Sequence, residues 1–195
     1  MSWQLWLLVV VAVLAILGLG LLSLRMAKRI DRLHRRVESN RVNLNRQLIK
    51  RAAETMRTAD LLQVSPEIAS EMRSAATDAI SLAGVPLVMR GLGSDESNEQ
   101  ATLARIRAES GQSQVLRESM TEELCAEIRN DPVSGAQLEA LVETCNRAEL
   151  IRTLHNQDVS LTLALRDRRL PRGLHLAGSA ELPYPVELDD RVFGG

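Results

Sequence analysis

The side chains best suited to chemistry are acidic and lie between residues 103 and 125. Glu109, Arg117, Glu118 and Glu122 follow the spacing E-x7-R-E-x3-E. Glu118 and Glu122 are four residues apart, so on a helix they share one face. The pattern therefore predicts either a solvated, charged helix face, which is common, or a catalytic group of carboxylates.

This spacing resembles part of the Nudix box, G-x5-E-x7-R-E-U-x-E-E-x-G-U, in which U is bulky and aliphatic. The resemblance implies magnesium-binding glutamates, here Glu118 and Glu122, and cleavage of a nucleoside diphosphate bond. Four positions match, but Leu103 and Leu124 replace the two glycines and Thr121 replaces one glutamate. Nudix enzymes also place the box beside a mixed sheet, and this chain lacks the β-branched and aromatic runs of strands. The charged face is therefore favoured, and the hydrolase is the alternative.

No other motif predicts a catalytic residue, a metal site or a bound cofactor. His34, His155 and His175 lack Cys or carboxylate partners at zinc-ligand spacing. Cys125 and Cys145 fall in separate predicted helices, and we expect them to be reduced, buried and inert. Neither a Walker A loop nor a G-x-S-x-G elbow occurs.

The N-terminus carries a predicted transmembrane anchor, residues 1–24. It contains no charged side chain, and residues 5–24 are apolar except for glycines and Ser23. About 20 helical residues span roughly 30 Å, the thickness of a bilayer's hydrocarbon core. Trp3 and Trp6 then fall at one membrane interface, where indoles are enriched. A cleavable signal peptide is disfavoured because no basic side chain precedes the apolar segment.

Basic residues directly after the anchor predict its orientation. The segment contains one acid, Asp31, among six basic residues: Arg25, Lys28, Arg29, Arg32, Arg35 and Arg36. The positive-inside rule places the N-terminus outside the cell membrane and the rest of the chain in the cytoplasm. Residues 25–60 carry a net charge of +7 and residues 61–195 one of −8. Anionic lipid headgroups are the expected partner of the basic segment. Nucleic acid is not, because no aromatic side chains are interleaved with the charges.

Apolar periodicity predicts helices throughout the remaining chain. One long helix continues from the anchor, and Ser65-Pro66 starts a second. Ser97 caps a third helix, which Gly111 interrupts; a fourth covers 113–130, and Ser134 caps a fifth that ends near residue 169. The predicted fold class is all-α: an N-terminal transmembrane helix that continues into an antiparallel bundle with long first and last helices. The predicted domains are an anchor at 1–24, a cytoplasmic bundle at 25–170 and an extended, lightly ordered tail at 171–195.

The fifth helix and tail resemble the LemA family of bacterial membrane proteins, in particular its divergent actinobacterial branch. The family pattern of an aromatic-Asn pair and a following Val falls on His155, Asn156 and Val159. Its Pro-bearing segment and acidic-hydrophobic end fall on Pro171 and 184–188. The first long helix matches at Val42, Leu44, Leu48, Arg51 and Ala52. Thr162-Leu163 replaces the usual second Tyr-Asn pair, which departs from the pattern. The resemblance implies an N-terminal anchor and a cytoplasmic helical bundle, in a family without established catalytic residues.

The sequence thus favours a membrane-anchored cytoplasmic scaffold or interaction protein without catalytic activity. Its expected partners are the lipid bilayer and an unidentified protein or a second copy of the chain. The alternative is a Nudix-type nucleoside diphosphate hydrolase with a degenerate box at 103–125. A β-sheet would favour the hydrolase, and its absence would favour the scaffold. A third hypothesis is a membrane-surface sensor that uses the basic first helix.

Overall fold

The computed structural model describes residues 3–61, 64–87, 96–167, 182–191 and 193. These residues form five helices and no strand, which confirms the all-α prediction for the described part of the chain. The helices are α1 Trp3–Leu61, α2 Pro66–Ser81, α3 Glu96–Ser119, α4 Glu122–Ile128 and α5 Pro132–Arg166. Pro171 and His175 lie outside the described residues.

The chain divides into two compact units. The N-terminal unit comprises Met1–Glu38 and Asp158–Pro183, and the core unit comprises Ser39–Gln157 and Tyr184–Gly195. Helices α1 and α5 therefore contribute residues to both units, whereas α2, α3 and α4 belong to the core unit alone.

All five helices bury side chains within the core unit. The largest apolar cluster contains Ala59, Ala69, Met72, Leu116, Met120, Cys125, Ile128, Leu138, Leu141, Cys145 and Phe193. A second cluster joins Leu44 and Leu48 of α1 to Ala148 of α5 and to Leu87 and Val186. A third consists of Ala52, Ala76 and Ala79, whose small side chains pack α1 against α2. Burial of these aliphatic stripes is the main stabilising term available to a chain with few aromatics.

Two helices begin at a capping residue followed by proline. The Ser65 Oγ accepts a hydrogen bond from the Ile68 N–H at 3.3 Å, which confirms the predicted start of α2. Asp131 caps α5 in the same way, because its Oδ2 accepts from the Ser134 N–H at 2.8 Å. Hydrogen bonds from the side chain and main chain of Ser134 hold the pKa of the Asp131 carboxyl below its usual value. The predicted start at Ser134 is therefore wrong, since an Asp N-cap with Pro at the first helical position begins the helix earlier.

The chain between residues 96 and 130 differs most from the predicted helices. Helix α3 begins at Glu96, so Ser97 is helical rather than an N-cap. The helix also continues through Gly111, because one helical glycine costs only about 0.5–1 kcal/mol relative to alanine and buried neighbours offset that cost. The predicted fourth helix at 113–130 is instead the end of α3 followed by the short α4. Thr121 makes the break, since its Oγ1 accepts from the Leu124 N–H at 3.3 Å and caps α4.

In the N-terminal unit, α1 presents its apolar residues to the outside. Residues 5–24 are exposed apart from the partly covered Gly18 and Ser23. The Ser23 hydroxyl donates to the Leu19 carbonyl at 2.8 Å, so the polar group within this apolar stretch is satisfied by the helix itself. The stretch is long and apolar enough to cross a membrane, which makes it a candidate span near the N-terminus.

Candidate functional site

The four residues of the Nudix-like spacing differ in burial and lie on two helices. Glu109 is buried in α3, whereas Glu118 is exposed near the end of α3 and accepts from the Gln114 amide at 2.8 Å. Glu122 is exposed at the first residue of α4, beyond the break at Thr121. Arg117 binds Asp189. Glu118 and Glu122 therefore lie on different helices. Among the described residues no three His, Cys, Asp or Glu side chains group as a metal site.

Glu109 instead belongs to a buried ionic cluster between α1 and α3. The Arg51 Nη2 donates to the Glu109 Oε2 and to the Glu109 carbonyl, both at 2.9 Å. The Arg51 Nη1 donates to the Ser113 hydroxyl at 2.8 Å. Arg105 approaches the other carboxylate oxygen of Glu109 at 3.7 Å. Arg51 and Glu109 are each 1% exposed and Arg105 is 2% exposed, so the cluster is nearly inaccessible to solvent.

This cluster holds two guanidinium groups and one carboxylate. Burial raises the pKa of the Glu109 carboxyl above its usual value, while Arg51 and then Arg105 oppose that shift. Burial likewise lowers the pKa of Arg105. Arg105 also donates to the Val85 carbonyl and the Asn45 side chain. Hydrogen bonds to backbone and amide oxygens thus stabilise the excess positive charge, because a buried cation needs such partners.

His155 and Asn156, two of the three α5 residues on which the LemA resemblance rests, bind the C-terminal strap, which we define as residues 184–191. The Asn156 Nδ2 donates to the Val186 carbonyl at 3.0 Å, and its Oδ1 accepts from the Val186 N–H at 2.9 Å. The His155 Nε2 lies 3.2 Å from the Tyr184 carbonyl and must carry a proton to donate to it. Val159, the third motif residue, is buried in the N-terminal unit.

Two aspartates fasten the strap to α3 and α5. Arg152 binds both carboxylate oxygens of Asp190, with Nη2 to Oδ1 at 2.7 Å. Arg117 binds Asp189 in the same bidentate manner, with Nη2 to Oδ2 at 2.7 Å. Hydrogen bonds from Arg191 and Arg117 lower the pKa of Asp189 to about 2. Bidentate Arg–carboxylate pairs of this kind fix both orientation and register.

The strap is also anchored by burial and by its main chain. Val186 is fully buried in the cluster of Leu44, Leu48 and Ala148. The Asp189 N–H donates to the Ser110 hydroxyl at 3.1 Å. The strap contains neither helix nor strand, so these contacts replace the hydrogen bonds of regular structure. The predicted tail residues 171–181 lie outside the described residues.

Both cysteines are buried and free within the core unit. Burial raises the pKa of the Cys145 thiol to about 11 and also raises that of Cys125. The thiolate, which is the reactive form, is therefore disfavoured at neutral pH. The two side chains act as small apolar groups in the largest cluster.

The predicted membrane-interface residues are all exposed on α1: Trp3, Trp6, Arg25, Lys28, Arg29 and Arg32. At 3.6 residues per turn, the six basic residues from Arg25 to Arg36 fall within an arc of about 120°. Ile30 and Val37, which are buried, lie outside that arc. We call this exposed arc the basic face of α1.

Sequence reasoning missed the ionic cluster and the fastening of the strap. One signal for the cluster was present, because Arg51 lies three residues after Leu48 and four before Thr55. That spacing places the charge on the buried stripe of α1. No local pattern pairs it with Glu109, which lies 58 positions away along the chain.

No protein-family model, curated protein or solved structure matches the chain. The LemA resemblance therefore remains a prediction that rests on the residues quoted above.

Proposed function

We propose that the chain is a membrane-anchored helical scaffold whose core unit lies in the cytoplasm and binds a protein partner. The observation that carries this proposal is the apolar stretch of α1 at residues 5–24, which no other part of the described chain covers. Leaving about twenty apolar residues in water is strongly unfavourable, whereas a bilayer solvates them.

The basic face of α1 supports the orientation. It begins at Arg25, one residue beyond the apolar stretch, and its side chains are exposed. Cationic residues at this position favour a cytoplasmic location for the following domain. They are also attracted by the negative surface potential of the inner leaflet. This attraction contributes about 1 kcal/mol of binding free energy for each basic residue near the surface.

Contacts within the core unit support an antiparallel bundle. Gln137, near the start of α5, donates to the side chains of Glu54 and Thr58 in α1. Further along α5, Ala148 shares a cluster with Leu44 and Leu48. Residue numbers thus rise along α5 as they fall along α1. We further propose that this arrangement is that of a divergent LemA-like protein.

Among the described residues of the core unit, no three His, Cys, Asp or Glu side chains come together as a metal-binding group. The Nudix-type alternative has no specific observation in its favour. Its first glutamate is Glu109, which is buried against Arg51, and its other two lie on separate helices.

The orientation predicts the behaviour of reporters fused after Gly195. A reporter that works only in the cytoplasm should be active there, and one that works only outside the cytoplasm should be inactive. The matched control lacks residues 1–24: it should leave the membrane fraction after a high-salt wash, which releases protein held only by its basic face, and it should retain the cytoplasmic reporter signal. Activity of the external reporter would overturn the orientation.

The basic face predicts binding to anionic lipid. A chain that lacks residues 1–24, with its helicity checked by circular dichroism, should bind vesicles that contain anionic lipid more tightly than neutral ones. Salt should weaken this binding, because the Debye length falls from about 10 Å at 0.1 M to about 3 Å at 1 M. Replacing Arg25, Lys28, Arg29 and Arg32 by glutamine should weaken it further.

A control variant separates a local effect from one of net charge. The control replaces four exposed basic residues of the core unit, so it removes the same number of positive charges. These residues are Lys50, Arg107, Arg129 and Arg147. This variant should retain most of the vesicle binding. Equal losses in the two variants would show that the basic face has no special role.

A further inference from the structure

A cavity of about 220 Å³ lies in the core unit, between α1 and the connection that follows α2. Two guanidinium groups line it, those of Arg41 and Arg105, together with Asn45. Val42 and residues 83–87 complete the wall, and no acidic side chain is among these lining residues. The wall of the cavity therefore carries a net positive charge.

Arg105 contributes a buried cation that is incompletely neutralised. Its side chain is 2% exposed, and it donates to the Val85 carbonyl and to the Asn45 side chain. Its Nε is buried and has no hydrogen-bond partner in the described part of the chain. The Glu109 carboxylate lies 3.7 Å from Arg105 and also binds Arg51 at 2.9 Å. Two buried guanidinium groups thus share one carboxylate, an arrangement that a further anion would stabilise.

Asn45 and Gly84 add a donor and open space beside this charge. Because the Asn45 Oδ1 accepts from Arg105, the Nδ2 of the same amide remains as a hydrogen-bond donor. A Cβ added at Gly84 would meet no heavy atom within 4 Å beyond its chain neighbours. Positive charge and N–H donors complement an anion, whereas a wall without carboxylates offers a cation no charged ligand.

We propose that this cavity binds a phosphate group. The planar fork of a guanidinium matches phosphate oxygens in a bidentate manner, and a phosphate near neutral pH carries between one and two negative charges. The cavity is smaller than the roughly 300–1,000 Å³ of pockets for drug-sized ligands, so it suits a small anion. Free inorganic phosphate and a small phosphate ester share this chemistry. Such binding goes beyond the scaffold role and does not depend on the anchor.

Calorimetric titration of inorganic phosphate into the full chain, in a neutral detergent, tests the proposal. Sodium chloride keeps the ionic strength constant, so that general screening of surface charge does not change during the titration. We expect one saturable site per chain with a Kd of about 1 mM or lower. Absence of saturable binding in that range would overturn the proposal.

A charge placed at the wall of the cavity should weaken the binding. Val42 is 49% exposed, so Val42→Glu adds a carboxylate there without disturbing the buried cluster. Repulsion should raise the Kd for phosphate at least about tenfold. The matched control is Ile49→Glu, a change of the same charge on the same helix at a residue that is 40% exposed and does not line the cavity. It should change the Kd by no more than about twofold, and equal weakening by both variants would contradict the assigned site.

The basic face of α1 is the other place where phosphate finds positive charge. The full chain with Arg25, Lys28, Arg29 and Arg32 replaced by glutamine should bind phosphate with an unchanged Kd. Loss of binding in that variant would assign phosphate to the basic face and overturn the proposal.

Protection of Arg41 from chemical modification locates the site in the unchanged chain. Phenylglyoxal modifies accessible arginines, and mass spectrometry reads each position. At phosphate about three times its Kd, modification of Arg41 should slow about fourfold, because only one site in four is then free. Arg46, which is exposed on the same helix and does not line the cavity, should react at an unchanged rate. Equal protection of both arginines, or of neither, would count against the cavity.

A titration with glycerol 3-phosphate distinguishes the two sources of the phosphate group. A Kd at least about tenfold lower than that of inorganic phosphate would identify a phosphate ester, which is the chemistry of a lipid headgroup. A lower Kd for inorganic phosphate would identify the free ion. Binding of neither compound would overturn the proposal and would leave the scaffold role untouched, because membrane fractionation tests the anchor separately.

Discussion

Replacing Glu109 by glutamine should lower the free energy of unfolding by about 3–5 kcal/mol, the usual cost of removing one partner of a buried ion pair. The variant leaves the Arg51 and Arg105 guanidinium groups buried without their carboxylate. Arginine cannot relieve this by losing its proton. Denaturant unfolding of the full chain in mild detergent, followed by circular dichroism, measures the change.

Replacing Arg51 by methionine should lower the free energy of unfolding by less than Glu109→Gln does. The size of this loss should depend on pH. Glu109 then keeps Arg105 but loses the larger of the two influences that lower its pKa. Its pKa in the folded state therefore rises further above that in the unfolded state, so the folded state binds the proton more tightly. Stability of the variant should decrease as pH rises above the ordinary range of a glutamate, near 4.3, and should recover as pH falls back towards that range.

The double variant isolates the interaction between the two residues. With Arg51→Met and Glu109→Gln combined, the loss should be smaller than the sum of the two single losses, since one buried cation is removed together with the carboxylate. Glu109→Gln alone should not show the pH response of Arg51→Met. Additive losses, or a Glu109→Gln cost below about 1 kcal/mol, would show that the cluster is not energetically coupled.

Replacing Leu141 by alanine should destabilise the core unit by about 2–5 kcal/mol, because it removes buried methyl groups and leaves a cavity. Leu141 is fully buried in the largest cluster of the core unit. The same substitution at Leu150, also on α5 but 58% exposed, is the matched control and should change stability by no more than about 0.5 kcal/mol. Denaturant midpoints of the two variants should therefore differ clearly. Equal effects would contradict the assignment of Leu141 to the core.

Local signals were sufficient to predict most helices but not every boundary. A capping residue followed by proline occurs twice, at Ser65-Pro66 and at Asp131-Pro132. A helix start is predicted from the sequence only at Ser65-Pro66. Gly111 was overestimated as a breaker, because burial around α3 outweighs the small helical penalty of one glycine. The break at Thr121 was missed because a capping hydroxyl leaves little trace in hydrophobic periodicity.

Composition and short-range spacing were enough to predict the helical class and, from residues 5–24 and the basic residues after them, a candidate membrane span. These depend on composition and on spacings of a few residues, which act locally. Only the tertiary structure paired Arg51 with Glu109 and placed Asp189 and Asp190 against Arg117 and Arg152. Glu109 has the spacing of a catalytic box, yet burial beside two arginines assigns it to the core of the fold. Such contacts join residues that are distant in sequence, and their energy depends on shared burial, which no short pattern of residues encodes.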